Sequence, residues 1–335
     1  MERRNISITY LRALAAVSIF ICHILFIAGY FKTSMWLNTG VPLFFVISGF
    51  LMSKKKIQLD LKGIVSFYKT RISKFYLPYA VYILSVSAVL FLIRKPPNLV
   101  GLFMYLAGGA AFAENGILGL GHLWFISVLL ICYLQTPLLQ FLKRRNRRMI
   151  GGIFATQFLL FLLLDKPSYG IHIATYAVGY YLGEDGKFSR HMTIQLGWLA
   201  AIFSMVRLLA DTKFMAADYI IYYYYDALFQ PVARFMLAMW IFCMAMQHTK
   251  NIESWAEKHK GMNKIIQQFS AASFEIYLTH QFIQLSVWEF LPHDGAVGMG
   301  MYIILSIVLT AMNTYALKLI CSKIKGKIMN PFAGR

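Results

Sequence analysis

The chain has 335 residues, of which 59% are hydrophobic and 14% are charged, and its mean hydropathy is +0.58. A soluble domain carries about 25% charged residues, so this composition excludes an ordinary soluble protein and predicts an integral membrane protein. The formal net charge of +19 could indicate nucleic-acid binding, but cations in membrane proteins collect in cytoplasmic loops beside anionic lipid headgroups, so we expect membrane lipids and no nucleic acid as partners.

Apolar stretches long enough to cross a bilayer, about 20 residues each, recur along the chain. We predict about ten transmembrane helices, at residues 7–29, 36–53, 76–93, 121–142, 149–164, 171–183, 194–210, 227–247, 270–290 and 297–320. The apolar, glycine-rich residues 97–113 are too short for a span and indicate a re-entrant or interfacial segment. The predicted fold is an all-α, polytopic membrane helical bundle, with one domain over residues 1–335 and no appended soluble domain.

The distribution of cations predicts the orientation of this bundle. If the N-terminus is cytoplasmic, the inner segments carry 24 lysines and arginines and the outer segments carry five. The five are Lys32, Arg94, Lys95, Lys166 and Lys213. Because cytoplasmic loops are enriched in Lys and Arg, this imbalance predicts an even number of spans with both termini in the cytoplasm.

Two ionisable residues, Arg12 and His23, interrupt the first apolar stretch. They are eleven residues apart, about three helical turns, so both project from one face with roughly 16 Å between them along the axis. Charged groups within a span are costly and often mark a functional site, and an imidazole that titrates near neutrality can act as a general base. Alternatively, Arg12 snorkels to the headgroups and His23 hydrogen-bonds a neighbouring helix.

Five motifs follow one another along the chain. They are Arg12-x10-His23, GVPLFFVISGFL at residues 40–51, Arg71-Ile-Ser-Lys74 before Leu77-Pro-Tyr79, GHLWF at residues 121–125, and SFEIYLTH at residues 273–280. In this order they closely resemble the motifs of the acyltransferase-3 family of integral membrane acyltransferases. Within the second motif, Ser48 and Gly49 are small enough to allow close helix packing.

The resemblance implies transfer of an acyl group, usually acetyl, from cytoplasmic acyl-CoA to a hydroxyl of an extracytoplasmic or lipid-linked glycan. By residue type, His23 is the general base for attack on the thioester. Arg12, Arg71 and Lys74 are expected to bind the CoA phosphates. The family usually has arginine where this chain has Lys74, and lysine lacks bidentate phosphate geometry. The alternative for Arg71 and Lys74 is that they belong to an ordinary inner loop.

His122 and His280 begin or lie within predicted spans, and we expect both to line the substrate site. Glu275 lies about 140° from His280 on a helix, which argues against an acid–base pair. Asp226, Gln230 and Arg234, spaced i, i+4 and i+8, form a polar stripe on which Asp226 and Arg234 either bind a sugar or join helices. Arg207, near the end of its span, is expected to snorkel.

The sequence contains no G-x-S-x-G motif, P-loop, dinucleotide fingerprint or zinc spacing. We therefore expect no metal, and we interpret the four scattered cysteines as small hydrophobic residues. Some members of the family carry a C-terminal hydrolase-like domain that completes transfer, so this chain is expected to deliver the acyl group directly or through a separate extracytoplasmic transferase. A bacterial plasma membrane is the expected location. The main alternative function is a polysaccharide or solute transporter or flippase.

Overall fold

The computed structural model describes residues 5–114, 116–145, 148–185, 188–213, 223–293 and 295–329, and over these it is all-helical, without strands. The first helices are α1 (Ile6–Ile27), α2 (Phe31–Leu37), α3 (Gly40–Ser53), α4 (Leu61–Leu92), α5 (Leu99–Leu106), α6 (Trp124–Arg145) and α7 (Arg148–Leu163). They are followed by α8 (Pro167–Asp185), α9 (Arg190–Lys213), α10 (Gln230–Gln247), α11 (Thr249–Lys258), α12 (Lys260–Phe290) and α13 (Gly295–Met329). A π-helical turn, Tyr225–Phe229, leads into α10.

Local sequence explains where the first helices begin and end. The Asn5 side chain accepts a hydrogen bond from the Ser7 amide, and the Asp60 side chain accepts one from the Gly63 amide, so both are helix N-caps. α1 ends just before Gly29, whose φ of +84° is readily adopted only by glycine. This turn precedes α2, which continues through a short break into α3. The two helices together form the segment Phe31–Ser53, which contains the predicted span 36–53.

Each of the ten predicted spans overlaps a helix, although several boundaries differ. α4 begins fifteen residues before the predicted span 76–93, because Asp60 caps a helix that extends beyond the apolar segment. Residues 97–113 contain the eight-residue α5 and a short 3-10 turn, which are too short to cross a bilayer.

By length and hydropathy, seven helices of the described chain could cross a membrane. They are Ile6–Ile27, Phe31–Ser53, Leu61–Leu92, Gly121–Leu142, Arg190–Asp211, Tyr225–Gln247 and Gly295–Gly326. α7, α8 and α12, which correspond to three further predicted spans, are absent from this set. The all-helical membrane architecture is confirmed, whereas the number ten and the cytoplasmic termini stay predictions.

α1 lies among α3, α10 and α12, and its contacts define helix directions. α12 runs parallel to α1, because Arg12 Nη2 lies 3.4 Å from Ser273 Oγ and Gln284 Nε2 lies 3.1 Å from the Phe20 carbonyl further along both helices. α10 runs antiparallel to α1, since Ser7 near the start of α1 hydrogen-bonds Ala245 near the end of α10. In the predicted topology, the first and ninth spans run outward and the eighth span runs inward. The observed relative directions of α1, α10 and α12 match that pattern.

The closest helix contact joins α3 to α8. A Cβ atom added to Gly49 would lie 1.8 Å from the Tyr176 carbonyl oxygen, and one added to Gly179 would lie 2.2 Å from the Val46 carbonyl oxygen. The predicted packing role of Gly49 is thereby confirmed. The same helices supply Phe45 and Tyr176 to the main core, which fixes α3 beside α6 and the helices around the site.

Candidate active site

Three histidines that are far apart in the sequence lie together in the bundle. The ring centroid of His280 is 4.9 Å from that of His23 and 4.9 Å from that of His122, and the His23 and His122 centroids are 6.2 Å apart. α1 supplies His23, the turn before α6 supplies His122, and α12 supplies His280. The structure thus places His122 and His280 beside His23, while their predicted role in lining the substrate site stays a prediction.

Backbone carbonyl groups of α12 fix the protonation of two of these imidazoles. His122 Nε2 donates to the Tyr277 carbonyl oxygen at 2.9 Å, and His280 Nδ1 donates to the same oxygen at 2.8 Å. Because a carbonyl only accepts, both nitrogens carry protons. The lone pairs of the neutral rings are then at His122 Nδ1 and His280 Nε2, and His280 Nε2 is buried with no hydrogen-bond partner among the described residues.

His23 differs from its two neighbours in its access to solvent and substrates. His122 is 4% exposed and His280 is 1% exposed, whereas His23 is partly exposed. Within the described part of the chain, His23 Nδ1 has no hydrogen-bond partner. Of the three histidines, His23 is therefore the most exposed residue, although its Nδ1 atom is itself buried.

A cavity of about 450 Å³ extends along α1 and α12 on one side of this histidine cluster. Arg12, Arg71 and Lys74 line it together with apolar and aromatic residues, and Tyr277 also lines it. A smaller space of about 10 Å³, lined by Phe20, Tyr277 and His280, adjoins it and shares Tyr277. The cavity therefore connects the predicted phosphate-binding cations with the residues that hold the histidines.

The three cavity cations have different surroundings. Arg12 hydrogen-bonds Ser273 on α12. Arg71 is half-buried, its guanidinium lies 5.8 Å from the Phe67 ring centroid, and its Nε is buried without a hydrogen-bond partner among the described residues. Lys74 is exposed, so its charge is screened by water more strongly than that of Arg71.

The predicted polar stripe at Asp226, Gln230 and Arg234 is not continuous. Tyr225–Phe229 forms a π-helical turn, which has a different number of residues per turn from an α-helix. Asp226 is consequently exposed, whereas Gln230 and Arg234 are buried at 5% and 8% exposure. Neither Asp226 nor Arg234 lines the cavity described above, so the two residues belong to a separate region.

Arg207 and Glu275 each contact an oppositely charged residue on a helix. Arg207 does not snorkel: it is 1% exposed, lies 3.7 Å from Asp211, and places its guanidinium 4.4 Å from the Trp36 ring centroid. That expectation was wrong because α2 covers the residue, which span periodicity does not reveal. Glu275 lies 3.9 Å from Lys318, in agreement with the argument against a Glu275–His280 pair.

Sequence reasoning also missed His172. This residue is buried, and its ring stacks at 5.1 Å on Phe45 and at 5.4 Å on Trp124. A lone histidine in a short apolar stretch gave no signal of this position. The four cysteines are buried and unpaired, and no group of His, Cys, Asp or Glu in the described residues has the geometry to hold a metal ion.

The all-helical bundle, its apolar membrane-length helices and its buried histidine site define a multi-pass membrane protein with a candidate catalytic centre. A family model described as an acyltransferase domain, acyltransferase-3, matches residues 5–315. The chain therefore belongs to the acyltransferase-3 family and is an acyltransferase, which decides against the transporter interpretation. Comparison with curated proteins and comparison with solved structures each returned no match.

Proposed function

We propose that the protein is an O-acyltransferase that moves an acyl group, most simply acetyl, from cytoplasmic acyl-CoA to a hydroxyl of an extracytoplasmic or lipid-linked glycan in a bacterial plasma membrane. The observation that carries this proposal is the arrangement of the cavity. It joins Arg12, Arg71 and Lys74 to Tyr277, which packs against His122 and His280 beside His23.

The donor would bind with its phosphates near Arg71 and Arg12, because guanidinium groups form charge-assisted, bidentate hydrogen bonds to phosphate. The Arg71 Nε, which has no partner among the described residues, is suited to this contact. The pantetheine arm would then follow the cavity, whose walls include Phe44 and Phe125, toward the histidine cluster. Lys74 would add a weaker, screened contribution because it is exposed.

His23 would act as the general base. The acceptor hydroxyl attacks the thioester carbonyl carbon, and its proton passes to His23 while the new C–O bond forms. The resulting tetrahedral intermediate collapses as the C–S bond breaks, and His23 returns the proton to the leaving thiolate, so that CoA departs as the free thiol. His23 is better suited than His122 or His280 because it is the most exposed of the three residues and its Nδ1 has no hydrogen-bond partner within the described residues. His122 and His280 would position it and the substrate.

The direct test uses the full-length protein in lipid with radiolabelled acetyl-CoA and an envelope-glycan extract. Wild type should label the glycan, and His23→Ala should reduce the initial rate by about 10²–10⁴-fold, the usual contribution of a general base. His191→Ala, at an exposed histidine of α9, is the matched control and should behave like wild type.

Equal labelling by wild type and His23→Ala, at equal folded yield, would overturn the role of His23 while leaving the enzyme class intact. Labelled glycan that appears only after a second envelope protein is added would indicate delivery through a partner instead of direct transfer. If no labelled product forms from acetyl-CoA under any of these conditions, the proposed donor and acceptor are wrong.

A further inference from the structure

A second group of buried charges lies among α2, α9 and α10, outside the cavity that Arg12 lines. Arg207 of α9 is 1% exposed and Arg234 of α10 is 8% exposed. The short helix α2 lies over both: the Trp36 ring centroid is 4.4 Å from the Arg207 guanidinium carbon, and Met35 Sδ is 3.8 Å from Arg234 Nη1. Two cationic groups are thus enclosed beneath one seven-residue helix.

Within the part of the chain that the structure describes, several N–H donors of these two guanidinium groups have no strong acceptor. Within the described residues, Arg207 Nε and Nη2 have no hydrogen-bond partner, and the nearest carboxylate oxygen, Asp211 Oδ2, is 3.7 Å from Nε. Asp211 also accepts a hydrogen bond from the Tyr225 hydroxyl. Arg234 Nε donates to the Gln230 carbonyl at 3.2 Å, and its Nη1 lies 3.8 Å from the Met35 thioether sulfur, a weak acceptor.

Buried charged donors without acceptors are costly, and a negatively charged oxygen is the group that best satisfies a guanidinium. Asp211 is ion-paired with Arg207, and Asp226, exposed in the adjacent π-helical turn, lies within electrostatic range of both arginines. Within the described residues, neither carboxylate is hydrogen-bonded to Arg207 Nε or Nη2. Among the described residues, Arg207 therefore keeps buried donors that an oxyanion would satisfy, beside the buried guanidinium of Arg234.

The position of this group along α1 relates it to the candidate active site. Cys22, which directly precedes His23, lies within electrostatic range of both Arg207 and Arg234. Arg12, at the other end of the same helix, lines the cavity proposed for the donor. Arg207 and Arg234 consequently lie near the His23 end of α1, whereas the cavity lined by Arg12 lies toward its start.

We propose that Arg207 and Arg234 form a binding site for an oxyanion carried by the acceptor, either the phosphate of a lipid-linked glycan or the carboxylate of an acidic sugar. This inference rests on the proposed acyl transfer for the identity of its ligand. α2 covers the site and must shift to admit the anion, and the stacked Trp36 ring would then change its environment. The bound anion would hold the acceptor hydroxyl near His23, away from the donor phosphates at Arg12 and Arg71.

A binding measurement tests the site without acyl transfer. Full-length protein in a neutral detergent is titrated with geranylgeranyl phosphate and with dodecyl β-D-glucuronide, and geranylgeraniol and dodecyl β-D-glucoside serve as their uncharged counterparts. At least one anionic probe should bind about tenfold more tightly than its neutral counterpart and change the tryptophan fluorescence. The Trp36→Phe variant should lose that fluorescence change, and the preferred probe distinguishes phosphate from carboxylate.

Arg207→Gln and Arg234→Gln should each weaken binding of the anionic probe by about 10- to 100-fold, the effect expected when one charged hydrogen bond is lost. Arg190→Gln is the matched control, because Arg190 is exposed at the other end of α9. Arg71→Gln should also bind like wild type, which separates this site from the cavity cations. Arg207→Lys and Arg234→Lys retain the charge and provide folded variants if the glutamine variants unfold.

Equal affinity for charged and neutral probes, or unchanged affinity in the Arg207 and Arg234 variants, would overturn the site. If only Arg71→Gln lost affinity, the anion would bind in the donor cavity, and the proposed site at Arg207 and Arg234 would also be overturned. Because these titrations contain no acyl donor, a failed acetyl-transfer assay beside selective, Arg207-dependent binding would reject the proposed function and retain the anion site.

Discussion

Tyr277 connects the cavity to the histidine cluster through both its backbone and its side chain. Its carbonyl oxygen accepts hydrogen bonds from His122 and His280, its hydroxyl donates to the His122 carbonyl, and its ring lines the cavity. One residue therefore sets the tautomers of two imidazoles and forms part of the surface that a substrate would touch. Such constraint keeps a site in its productive geometry before the substrate binds.

Among the three cavity cations, Arg71 is the one whose replacement should most affect binding of the CoA phosphates. We predict that Arg71→Gln raises KM for acetyl-CoA about tenfold or more while kcat changes little, because the CoA phosphates keep the same charge in the ground state and the transition state. Steady-state kinetics at varied acetyl-CoA checks this.

Variants of two lysines on the same helix serve as comparisons for the KM change of Arg71→Gln. Lys69→Gln, at an exposed residue that does not line the cavity, should leave KM unchanged. Lys74→Gln should have a smaller effect than Arg71→Gln, because the exposed ammonium is screened. A KM for Arg71→Gln equal to that of wild type would remove Arg71 from the donor site.

At the scale of the helices, glycine decides how closely α3 approaches α8. The carbonyl oxygens of Tyr176 and Val46 occupy the space that a Cβ atom would need at Gly49 and Gly179. Small residues permit such backbone contact between membrane helices. Since α3 also contributes Phe44 to the cavity wall, its separation from α8 influences the shape of the site.

Gly49→Ala should destabilise the protein by about 1–3 kcal/mol, the usual cost of overpacking, because the two helices must separate to admit the methyl group. Thermal unfolding of the purified protein in detergent measures this change. Gly300→Ala is the control, because no neighbouring atom lies within 4 Å of its added Cβ, and it should be neutral or stabilising by about 0.5–1 kcal/mol. Equal melting temperatures for Gly49→Ala and wild type would show that the α3–α8 contact is looser than described.

At the scale of the whole molecule, the parallel pairing of α1 with α12 brings both ends of the sequence to one site. Arg12 and His23 come from the first helix, whereas Ser273, Tyr277 and His280 come from a helix near the C-terminal end. The proposed reaction also requires an orientation, with Arg12, Arg71 and Lys74 on the cytoplasmic side where acyl-CoA is found.

Cysteine labelling of intact cells tests this orientation. We predict that Lys95→Cys reacts with a membrane-impermeant thiol reagent and that Lys55→Cys reacts only after the cells are opened, because the inner segments carry most of the cations. Both lysines are exposed, and the four native cysteines are buried, so background labelling should be low. The opposite pattern of labelling would invert the predicted topology and separate the cavity from cytoplasmic acyl-CoA.

The sequence by itself determined the all-helical membrane class, because apolar length and charge placement act locally along the chain. Its ordered motifs indicated the family, and with it the roles suggested for Arg12 and His23. It also identified His122 and His280 as candidates through their motifs. Only the tertiary structure decided that these histidines surround His23, that Asp226 leaves the polar stripe at a π-helical turn, and that α2 buries Arg207. These features depend on which helices pack together, and helical periodicity specifies an apolar face without specifying its partner.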